Sequence, residues 1–329
     1  MKTILVAGGA GYIGSHMVMK LLESGYHAIV ADNLSTGHRE AVKADRFYEG
    51  DIRDGVFLDR IFTENRIDGV INFAAFSLVG ESCANPLKYY GNNLAGAQSI
   101  LGAMKTHGVK SIVFSSTAAV YGEPERQPIR EDDRTKPTNP YGESKLSIER
   151  LLHWCDAAYG IKYAALRYFN AAGADSENGL GEDHRPESHL IPLVLSVALN
   201  KRDAIGVFGD DYPTRDGTCV RDYIDVRDLA HAHLLAYEFL AREGKSDVFN
   251  LGNGSGFTVK EIIDVARRVT GHPIPARIEP RRAGDPSALV ASNQKALEVL
   301  GWKPKHSELE DMIGSAWRFH REHPAGFRE

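Results

Sequence analysis

A glycine-rich turn near the start of the chain restricts what its first half can fold into. The apolar run Thr3–Ala7 leads into GGAGYIG at 8–14, and a helix is predicted over Tyr12–Glu23. The glycines satisfy both the G-x-G-x-x-G and the G-x-x-G-x-x-G spacing. Between a strand and a helix, either spacing makes a tight turn that brings backbone N–H groups close to a pyrophosphate. The turn therefore predicts a dinucleotide-binding unit.

Short apolar strands alternate with helical patterns over the first half of the chain. The further strands are predicted at 27–31, 69–74, 111–115 and 163–168, and the helices between them at 92–107 and 141–159. Continuous apolar strands joined by helices are typical of a parallel sheet covered on both faces. We predict an α/β fold, with a Rossmann-type doubly wound parallel sheet and a smaller, interleaved α/β substrate-binding domain.

The pattern changes beyond Asn170, where a stretch rich in Gly, Asp, Glu and His precedes shorter helices such as Thr258–Thr270, whose start Thr258 and Glu261 mark as a capping box. Nothing in this part resembles a flexible linker. We therefore predict a dinucleotide-binding domain over 1–170, to which 218–240 returns. A smaller domain over 171–329 is interleaved with it.

The net charge, the apolar runs and the cysteines limit the partners and the location that we expect for the protein. Lys and Arg number 39 against 44 Asp and Glu, and this net charge of −5 is typical of neither nucleic-acid nor anionic-membrane binding. No run approaches the roughly 18 apolar residues that span a bilayer. Three cysteines without a Cys-x-x-Cys motif are typical of reduced thiols. We expect a soluble, cytoplasmic protein with no nucleic-acid or membrane partner.

Two carboxylates follow predicted strands. Asp32 ends the second strand, about 20 residues after Gly11, where a carboxylate binds the adenosine ribose hydroxyls. Because it would repel a 2′-phosphate, we favour NAD over NADP as the cofactor. Asp32 could instead cap a turn with Asn33. Asp51 precedes Ile52 after the next apolar segment, where a carboxylate could meet the adenine amino group.

A tyrosine and a lysine share one helical face. Tyr141 and Lys145 are four residues apart. Thr117 lies just after the preceding strand, at the sheet edge where such folds bind ligands. The charges of the lysine and of a nicotinamide ring would lower the tyrosine pKa and supply a phenolate base near neutral pH. The Thr117 hydroxyl could hold the reacting oxygen. As a bare pattern, without this context, the pair would be better explained as two surface residues.

Motifs spread along the chain carry a specific resemblance. They are GGAGYIGSH at 8–16, FAA at 73–75, YYGNN at 89–93, SSTAAVYG at 115–122, NPYGESK at 139–145, LRYFN at 166–170, FGDDYPTRDGTCVRDY at 208–223 and RRAGD at 281–285. With them the sequence resembles the extended short-chain dehydrogenase/reductases and, within these, the UDP-glucose 4-epimerase family. The VRDY segment at 220–223 points to the epimerases most strongly.

The resemblance implies NAD-dependent epimerisation at C4 of UDP-glucose and UDP-galactose through a transient 4-keto sugar. It also implies a homodimer joined through the helices near 92–107 and 141–159. Tyr141 would be the base, Lys145 would lower its pKa and bind the nicotinamide ribose, and Thr117 would hydrogen-bond O4. The positions that match the family's NAD contacts are Gly8, Gly11, Tyr12, Ile13, Asp32, Asn33, Asp51, Ile52, Phe73, Ala74, Ala75, Asn92, Lys145 and Phe169. Those that match its UDP-sugar contacts are Thr117, Tyr141, Asn170, His189, Leu190, Phe208, Arg221, Arg282 and Asp285.

Three positions depart from the family's pattern. Ser77 stands where some members place a lysine, so that contact is not carried over. His189 replaces an asparagine, and a histidine can still donate to a substrate. Leu289 stands where members vary between tyrosine and cysteine, so N-acetylated UDP-hexoses remain open as substrates, as do UDP-pentoses.

Arginines suit the pyrophosphate of a UDP-sugar independently of the resemblance, because a guanidinium binds phosphate oxygens in a bidentate way. Without the resemblance, Arg221 and Arg282 would be interpreted as solvated surface charges. Asp285 could accept sugar hydroxyls, or it could form an ion pair with Arg281.

The sequence disfavours two other functions. A nucleotide-sugar dehydratase needs an acid and a base just after the Ser/Thr position, whereas Ala118 and Ala119 stand there. A non-catalytic NAD-sensing module would lack the base or its lysine. We predict no metal site, since His231 and His233, two apart on a helix, do not face together.

Overall fold

The computed structural model of the chain describes residues 1–282 and 285–327. The strands are β1 Thr3–Ala7, β2 His27–Asp32, β3 Arg46–Glu49, β4 Gly69–Asn72, β5 Ser111–Ser115, β6 Lys162–Tyr168, β7 Asn170–Ala172, β8 Ile205–Phe208, β9 Val220–Arg221, β10 Tyr223–Asp225, β11 Asp247–Leu251, β12 Phe257–Thr258, β13 Ala276–Glu279 and β14 Ala288–Leu289. The helices are α1 Tyr12–Glu23, α2 Gly55–Glu64, α3 Val79–Ala84, α4 Pro86–Tyr89, α5 Ala95–His107, α6 Pro140–Tyr159, α7 Leu190–Ala198, α8 Val226–Glu243, α9 Val259–Thr270 and α10 Leu309–Glu322.

Seven parallel strands form the central sheet, in the order β11-β6-β5-β4-β1-β2-β3. The chain runs outward from β1 to β3 and then returns to the other side of β1 with β4. In doubly wound sheets, ligands bind at the carboxyl edge where the strand order reverses in this way. The predicted fold class is confirmed.

The sheet is covered on both faces, because successive residues of a strand point to opposite sides. Ile4 and Val6 of β1 belong to a core with α1 and α8, whereas Leu5 and Ala7 belong to a second core with α2, α5 and α6. Burial on both faces explains why these strands are apolar throughout.

A third apolar core lies in the later part of the chain. It contains α7, α9 and α10, with Val194, Ile263 and Met312 among its buried side chains. Between these helices the chain returns to the sheet, where β11 pairs with β6. The domain boundaries at 1–170, 218–240 and 171–329 stay predictions.

The predicted elements agree best where local signals are strong. The helix Tyr12–Glu23 and the strand Ser111–Ser115 have the predicted bounds. The capping box at Thr258 and Glu261 is present. The helix predicted over 92–107 instead begins as a π-helical turn at Tyr90–Leu94 and continues as α5. Across the described residues, no helix has both the length and the apolar character needed to cross a bilayer.

Candidate functional site

The glycine-rich turn packs tightly against the end of β4. Gly8 has a φ of +80°, and a Cβ there would lie 2.5 Å from the backbone nitrogen of Ala74. A Cβ at Gly14 would collide with the carbonyl oxygen of Gly8. These contacts need glycine, and they bring the segment that contains Phe73, Ala74 and Ala75 against the turn at the reversal of strand order.

The N-terminus of α1 is open to an anion. Gly11 is its N-cap residue, and within the described part of the chain no side chain caps it and no acidic residue lies in its first turn. The first backbone N–H groups of a helix have no intrahelical acceptors and carry partial positive charge. The turn therefore fits the pyrophosphate of a dinucleotide.

Asp32 holds the same turn from the end of β2. Its carboxylate accepts hydrogen bonds from the backbone N–H groups of Ala10, at 3.0 Å, and Leu34, at 2.8 Å. Burial raises the pKa of Asp32, and these backbone donors oppose that shift. The carboxylate thus caps a local turn, as the second interpretation of the sequence had it, and also fixes the glycine-rich loop; its binding of the ribose hydroxyls stays a prediction.

Asn33 and Asp51 meet where β2 and β3 end. The Asn33 amide nitrogen lies 3.4 Å from an oxygen of Asp51. Arg53 donates two side-chain hydrogen bonds to Asp51, at 2.9 and 2.6 Å, and these chiefly lower its pKa to about 2. Ile52 is buried against Gly96 of α5. The Asp51 carboxylate is therefore ionised, and it forms an ion pair with Arg53.

The other predicted cofactor residues are tied to their surroundings by packing and hydrogen bonds. Ile13 packs against the core that contains α1, and Phe169 against a small cluster around Val120. The Tyr12 hydroxyl donates to the carbonyl oxygen of Gly173 at 2.7 Å. The Asn92 amide donates to the Asn93 side chain at 3.1 Å.

Tyr141, Lys145 and Thr117 meet at the carboxyl edge of β5. Asn139 caps α6 through the backbone N–H of Gly142, which fixes the helix start just before Tyr141. The Thr117 hydroxyl lies close enough to the Tyr141 hydroxyl to lower the tyrosine pKa. The Lys145 ammonium lies 5.9 Å from the centroid of the Tyr141 ring. The structure thus brings the three predicted catalytic residues together.

Burial dominates the electrostatics of these groups. It raises the pKa of Tyr141, and the nearby Thr117 hydroxyl only partly offsets this. Burial also lowers the pKa of Lys145 to about 7, against the opposing charge of Glu149. The protein chain alone therefore does not lower the tyrosine pKa as we expected for the complete site. The reason is that desolvation of the phenolate outweighs the stabilising partners the chain provides.

The chain belongs to the NAD dependent epimerase/dehydratase family. The model of that family matches residues 4–252, which include the glycine-rich turn, Thr117, Tyr141 and Lys145. A curated UDP-glucose 4-epimerase of Halalkalibacterium halodurans is 61% identical over 324 residues, which cover 98% of this chain and 97% of that protein.

Solved structures share the whole fold. A crystal structure of a UDP-glucose 4-epimerase has a TM-score of 0.98 and 53% identity, with both chains covered completely. A UDP-glucose 4-epimerase of Bifidobacterium longum in complex with NAD+ and UDP has a TM-score of 0.93 and 43% identity, over 99% of this chain and 100% of that chain. At these identities the chain shares with these proteins its sequence along nearly its whole length, and not the fold class alone.

The predicted nucleotide contacts form two pairs. The Arg221 guanidinium is ion-paired with Asp285, and that of Arg282 lies 3.9 Å from the centroid of the Phe208 ring. The alternative ion pair between Asp285 and Arg281 is wrong, because Arg281 binds Asp211 at 2.6 Å instead. The last positions of the RRAGD motif before Asp285, residues 283 and 284, lie outside the described residues.

The structure also shows the contacts of three predicted substrate positions and of the position that varies in the family. Asn170 donates to the backbone carbonyl of Asp222 at 2.9 Å. His189 precedes α7 and contacts two glutamates, while Leu190 packs into the third core. Leu289 packs against the same small cluster as Phe169.

A buried polar network beneath the catalytic residues was not predicted. Glu149 accepts a hydrogen bond from Ser116 at 2.5 Å and forms an ion pair with Arg167 at 2.5 Å. Arg167 also donates to the Tyr121 hydroxyl at 2.8 Å. An arginine inside the apolar strand β6 is the signal that could have revealed it, because buried charges need partners.

Proposed function

We propose that this chain interconverts UDP-glucose and UDP-galactose by NAD-dependent epimerisation at C4. The observation that carries the proposal is the meeting of Tyr141, Thr117 and Lys145 beside a dinucleotide-binding turn. A hydroxyl that can take a proton next to such a turn suits alcohol oxidation and its reversal. The similarity to curated UDP-glucose 4-epimerases supports the choice of substrate.

The cofactor end of the site fits NAD. The uncapped N-terminus of α1 would receive the pyrophosphate, and Asp32 would accept the ribose hydroxyls. Bound there, NAD would supply both the acceptor and the donor of the hydride at C4 of the sugar, so the net reaction would need no outside oxidant.

The protein's own part in the chemistry is proton movement and positioning. Tyr141 would take the O4 proton and return it, while the Thr117 hydroxyl holds O4. Lys145 would bind the nicotinamide ribose and favour the tyrosinate. Since burial raises the pKa of Tyr141 in the chain alone, the base needs both this lysine and the positive nicotinamide ring nearby.

The nucleotide end would be held by the two arginines. Arg221, kept in place by Asp285, and Arg282, stacked on Phe208, offer directed donors for phosphate oxygens. Asn170, His189 and Leu190 stay predicted substrate contacts. The net charge of −5 does not oppose such a ligand, since a few placed guanidinium groups suffice.

The deciding experiment is NMR of UDP-galactose incubated with the protein and no added oxidant. We expect UDP-glucose to form until the two sugars reach equilibrium. Failure to form it would overturn the proposal. A 4-keto-6-deoxy product would indicate a dehydratase, although Ala118, which is buried after Thr117, has no group to transfer a proton. UDP-N-acetylhexosamines and UDP-pentoses tested in parallel define the tolerance around Leu289.

We further propose that the chain acts as a cytoplasmic homodimer joined through α5 and α6. The Trp154 side chain of α6 is 67% exposed, and a large exposed aromatic ring is typical of an interface. Light scattering coupled to gel filtration should give twice the chain mass, and Trp154→Ser should shift the equilibrium towards the monomer. A wild-type protein that elutes as a monomer would contradict this proposal and leave the catalytic one standing.

A further inference from the structure

Four side chains in the segment before α7 converge on one point away from the catalytic triad of residues. They are Glu182, His184, Glu187 and His189, and their ligand atoms all lie within 4.8 Å of one another. We propose that these residues bind one divalent transition-metal ion, and that Zn²⁺ is the ion that fits them. The proposal departs from the absence of a metal site that the sequence predicted, and with Nδ1 on the ion it leaves only the Nε2 of His189 for the predicted contact with the substrate.

The distances around the two imidazole rings suit a common central ion. The His189 Nδ1 lies 2.7 Å from Glu182 and 3.2 Å from Glu187, while the His184 Nδ1 lies 3.2 Å from Glu182 and 3.6 Å from Glu187. Each ring nitrogen therefore faces both carboxylates. A histidine that served only as an ion-pair partner would align its N–H with one of them.

The ring nitrogens are shielded from solvent and have no hydrogen-bond partner within the described residues. This holds for Nδ1 of His184 and Nδ1 of His189, although the carboxylate oxygens lie at hydrogen-bonding distance. A buried polar atom without a partner is costly, and such atoms often mark a place where an ion binds. Coordination of both nitrogens to a cation would satisfy them at once.

The two carboxylates point to the same conclusion. Glu182 is only 5% exposed, and it lies within reach of the same nitrogens as Glu187. Two negative charges held together away from water repel one another unless positive charge lies beside them, supplied either by two protonated imidazoles or by a bound cation. A divalent ion would balance both charges.

The donor set selects the kind of ion. Two imidazole nitrogens and two carboxylate oxygens are common ligands of tetrahedral Zn²⁺, whereas Ca²⁺ and Mg²⁺ favour sites made of oxygen alone. Four protein ligands would leave no open position on a tetrahedral ion, so the site would be structural and not catalytic.

The location of the cluster indicates what the ion would do. The His184 ring makes an edge-on contact with that of Tyr12, with the centroids 6.3 Å apart, and Tyr12 is bonded to Gly173. His189 is the N-cap residue of α7. The ion would thus fasten the irregular segment before α7 next to the N-terminus of α1, where the dinucleotide is proposed to bind.

Metal analysis of the untagged, full-length protein tests the proposal directly. Purified without chelators, it should contain one zinc per chain by inductively coupled plasma mass spectrometry. After treatment with EDTA it should bind added Zn²⁺ with a dissociation constant below about 1 µM. Co²⁺ should give the intense visible absorption of a tetrahedral site. A chelated wild-type protein that takes up no zinc at this affinity would overturn the proposal.

Variants place the ion at these residues. His184→Gln and His189→Gln should each weaken Zn²⁺ binding by at least about 100-fold, more than the loss of an outer-shell partner. The control is His27→Gln, which removes an exposed histidine that also lies beside a carboxylate, 3.4 Å from Asp45. It should bind zinc as the wild type does. Equal zinc affinity in the wild type and in both cluster variants would show that the metal binds elsewhere.

A second measurement separates this proposal from the catalytic one. Removing zinc should increase cleavage by a nonspecific protease within residues 173–189, and adding Zn²⁺ should restore protection. This result depends on neither epimerase turnover nor the identity of the sugar. A cleavage rate that does not respond to zinc would contradict the fastening role.

Discussion

The ammonium group of Lys145 donates a hydrogen bond of 2.7 Å to the backbone carbonyl oxygen of Ser115. This bond joins α6, which carries Tyr141, to the end of β5, two residues before Thr117. It holds a side chain that is only 3% exposed and whose pKa burial lowers to about 7. The lysine is therefore fixed in place, and its burial makes the charged ammonium form less stable than it would be in water.

That cost gives a stability prediction for Lys145→Met. In the folded chain the lysine has a pKa of about 7 against its ordinary 10.5, so between these values the unfolded chain binds more protons. The lysine's cost is full below pH 7 and disappears as the pH rises towards 10.5. The free energy of unfolding of the wild type, relative to that of the variant, should therefore rise by up to about 1.4 kcal/mol per pH unit in this window.

Urea unfolding of both proteins, freed of bound dinucleotide, measures this difference at pH 7 and about pH 9. The difference between the two proteins isolates the contribution of Lys145, because every other group titrates in both of them. A difference that stays constant with pH would show that Lys145 keeps its ordinary pKa.

The hydroxyl of Tyr141 gives the most direct catalytic prediction. Tyr141→Phe should reduce kcat by about 10²- to 10⁴-fold, because it removes the only group that would take the O4 proton in the proposed reaction. The variant should still bind NAD, which ultraviolet absorbance of the purified protein measures. Tyr159→Phe, at the exposed end of the same helix, is the control and should keep full activity. Turnover of Tyr141→Phe near that of the control would mean another base.

Much of the fold and of the site follows from local sequence signals. The alternation of apolar runs and glycine-closed helices predicts the parallel sheet, and the sheet in turn places Thr117 and Tyr141 at one edge. Thr258 and Glu261 form the predicted capping box because both partners lie within one turn of helix. Such features need no knowledge of distant residues.

Long-range pairing is what the sequence leaves open. The strand β11 contains Asp247 and Asn250, which weaken its apolar pattern, and it becomes a strand by pairing with β6. Asn250 is fully buried because Tyr121 donates to its side chain at 2.7 Å. In the same way, Asp285 pairs with Arg221 and not with Arg281, although Arg281 is much nearer in the chain.

Asp32 should determine the preference for NAD. Its carboxylate would repel a 2′-phosphate, so Asp32→Asn should lower the ratio of NAD to NADP affinity by about 10-fold. Because one amide oxygen cannot replace two carboxylate oxygens towards Ala10 and Leu34, NAD binding itself should weaken as well. Isothermal titration with both dinucleotides measures the ratio.

The control for this prediction lies beside the same strand. Asp45 accepts a hydrogen bond from the backbone N–H of Ala28 at 2.9 Å, near the amino end of β2 and away from the ligand edge. Asp45→Asn should leave the preference unchanged. If Asp32→Asn behaves like Asp45→Asn, the carboxylate of Asp32 does not select the dinucleotide.

Arg282 should bind the phosphates of the nucleotide. Arg282→Met should weaken UDP binding by about 10- to 100-fold, as expected for the loss of a charged hydrogen bond, and should make binding less dependent on salt. Arg281→Met is a matched control, because Arg281 also lies over an aromatic ring, 4.1 Å from the centroid of Tyr212, but is paired with Asp211. Titrations with UDP compare them. An equal loss in both would show only general electrostatic attraction.

The buried pair of Glu149 and Arg167 should stabilise the fold only while both charges are present. Both side chains are about 6% exposed, so Arg167→Met leaves an uncompensated carboxylate and should cost about 3–5 kcal/mol of unfolding free energy. Glu149→Leu should cost a similar amount, whereas the double variant should cost clearly less than the sum. Urea unfolding of the four proteins completes the double-mutant cycle. Additive losses would contradict the coupling, and they would mean that Ser116 and Tyr121 satisfy the two charges independently.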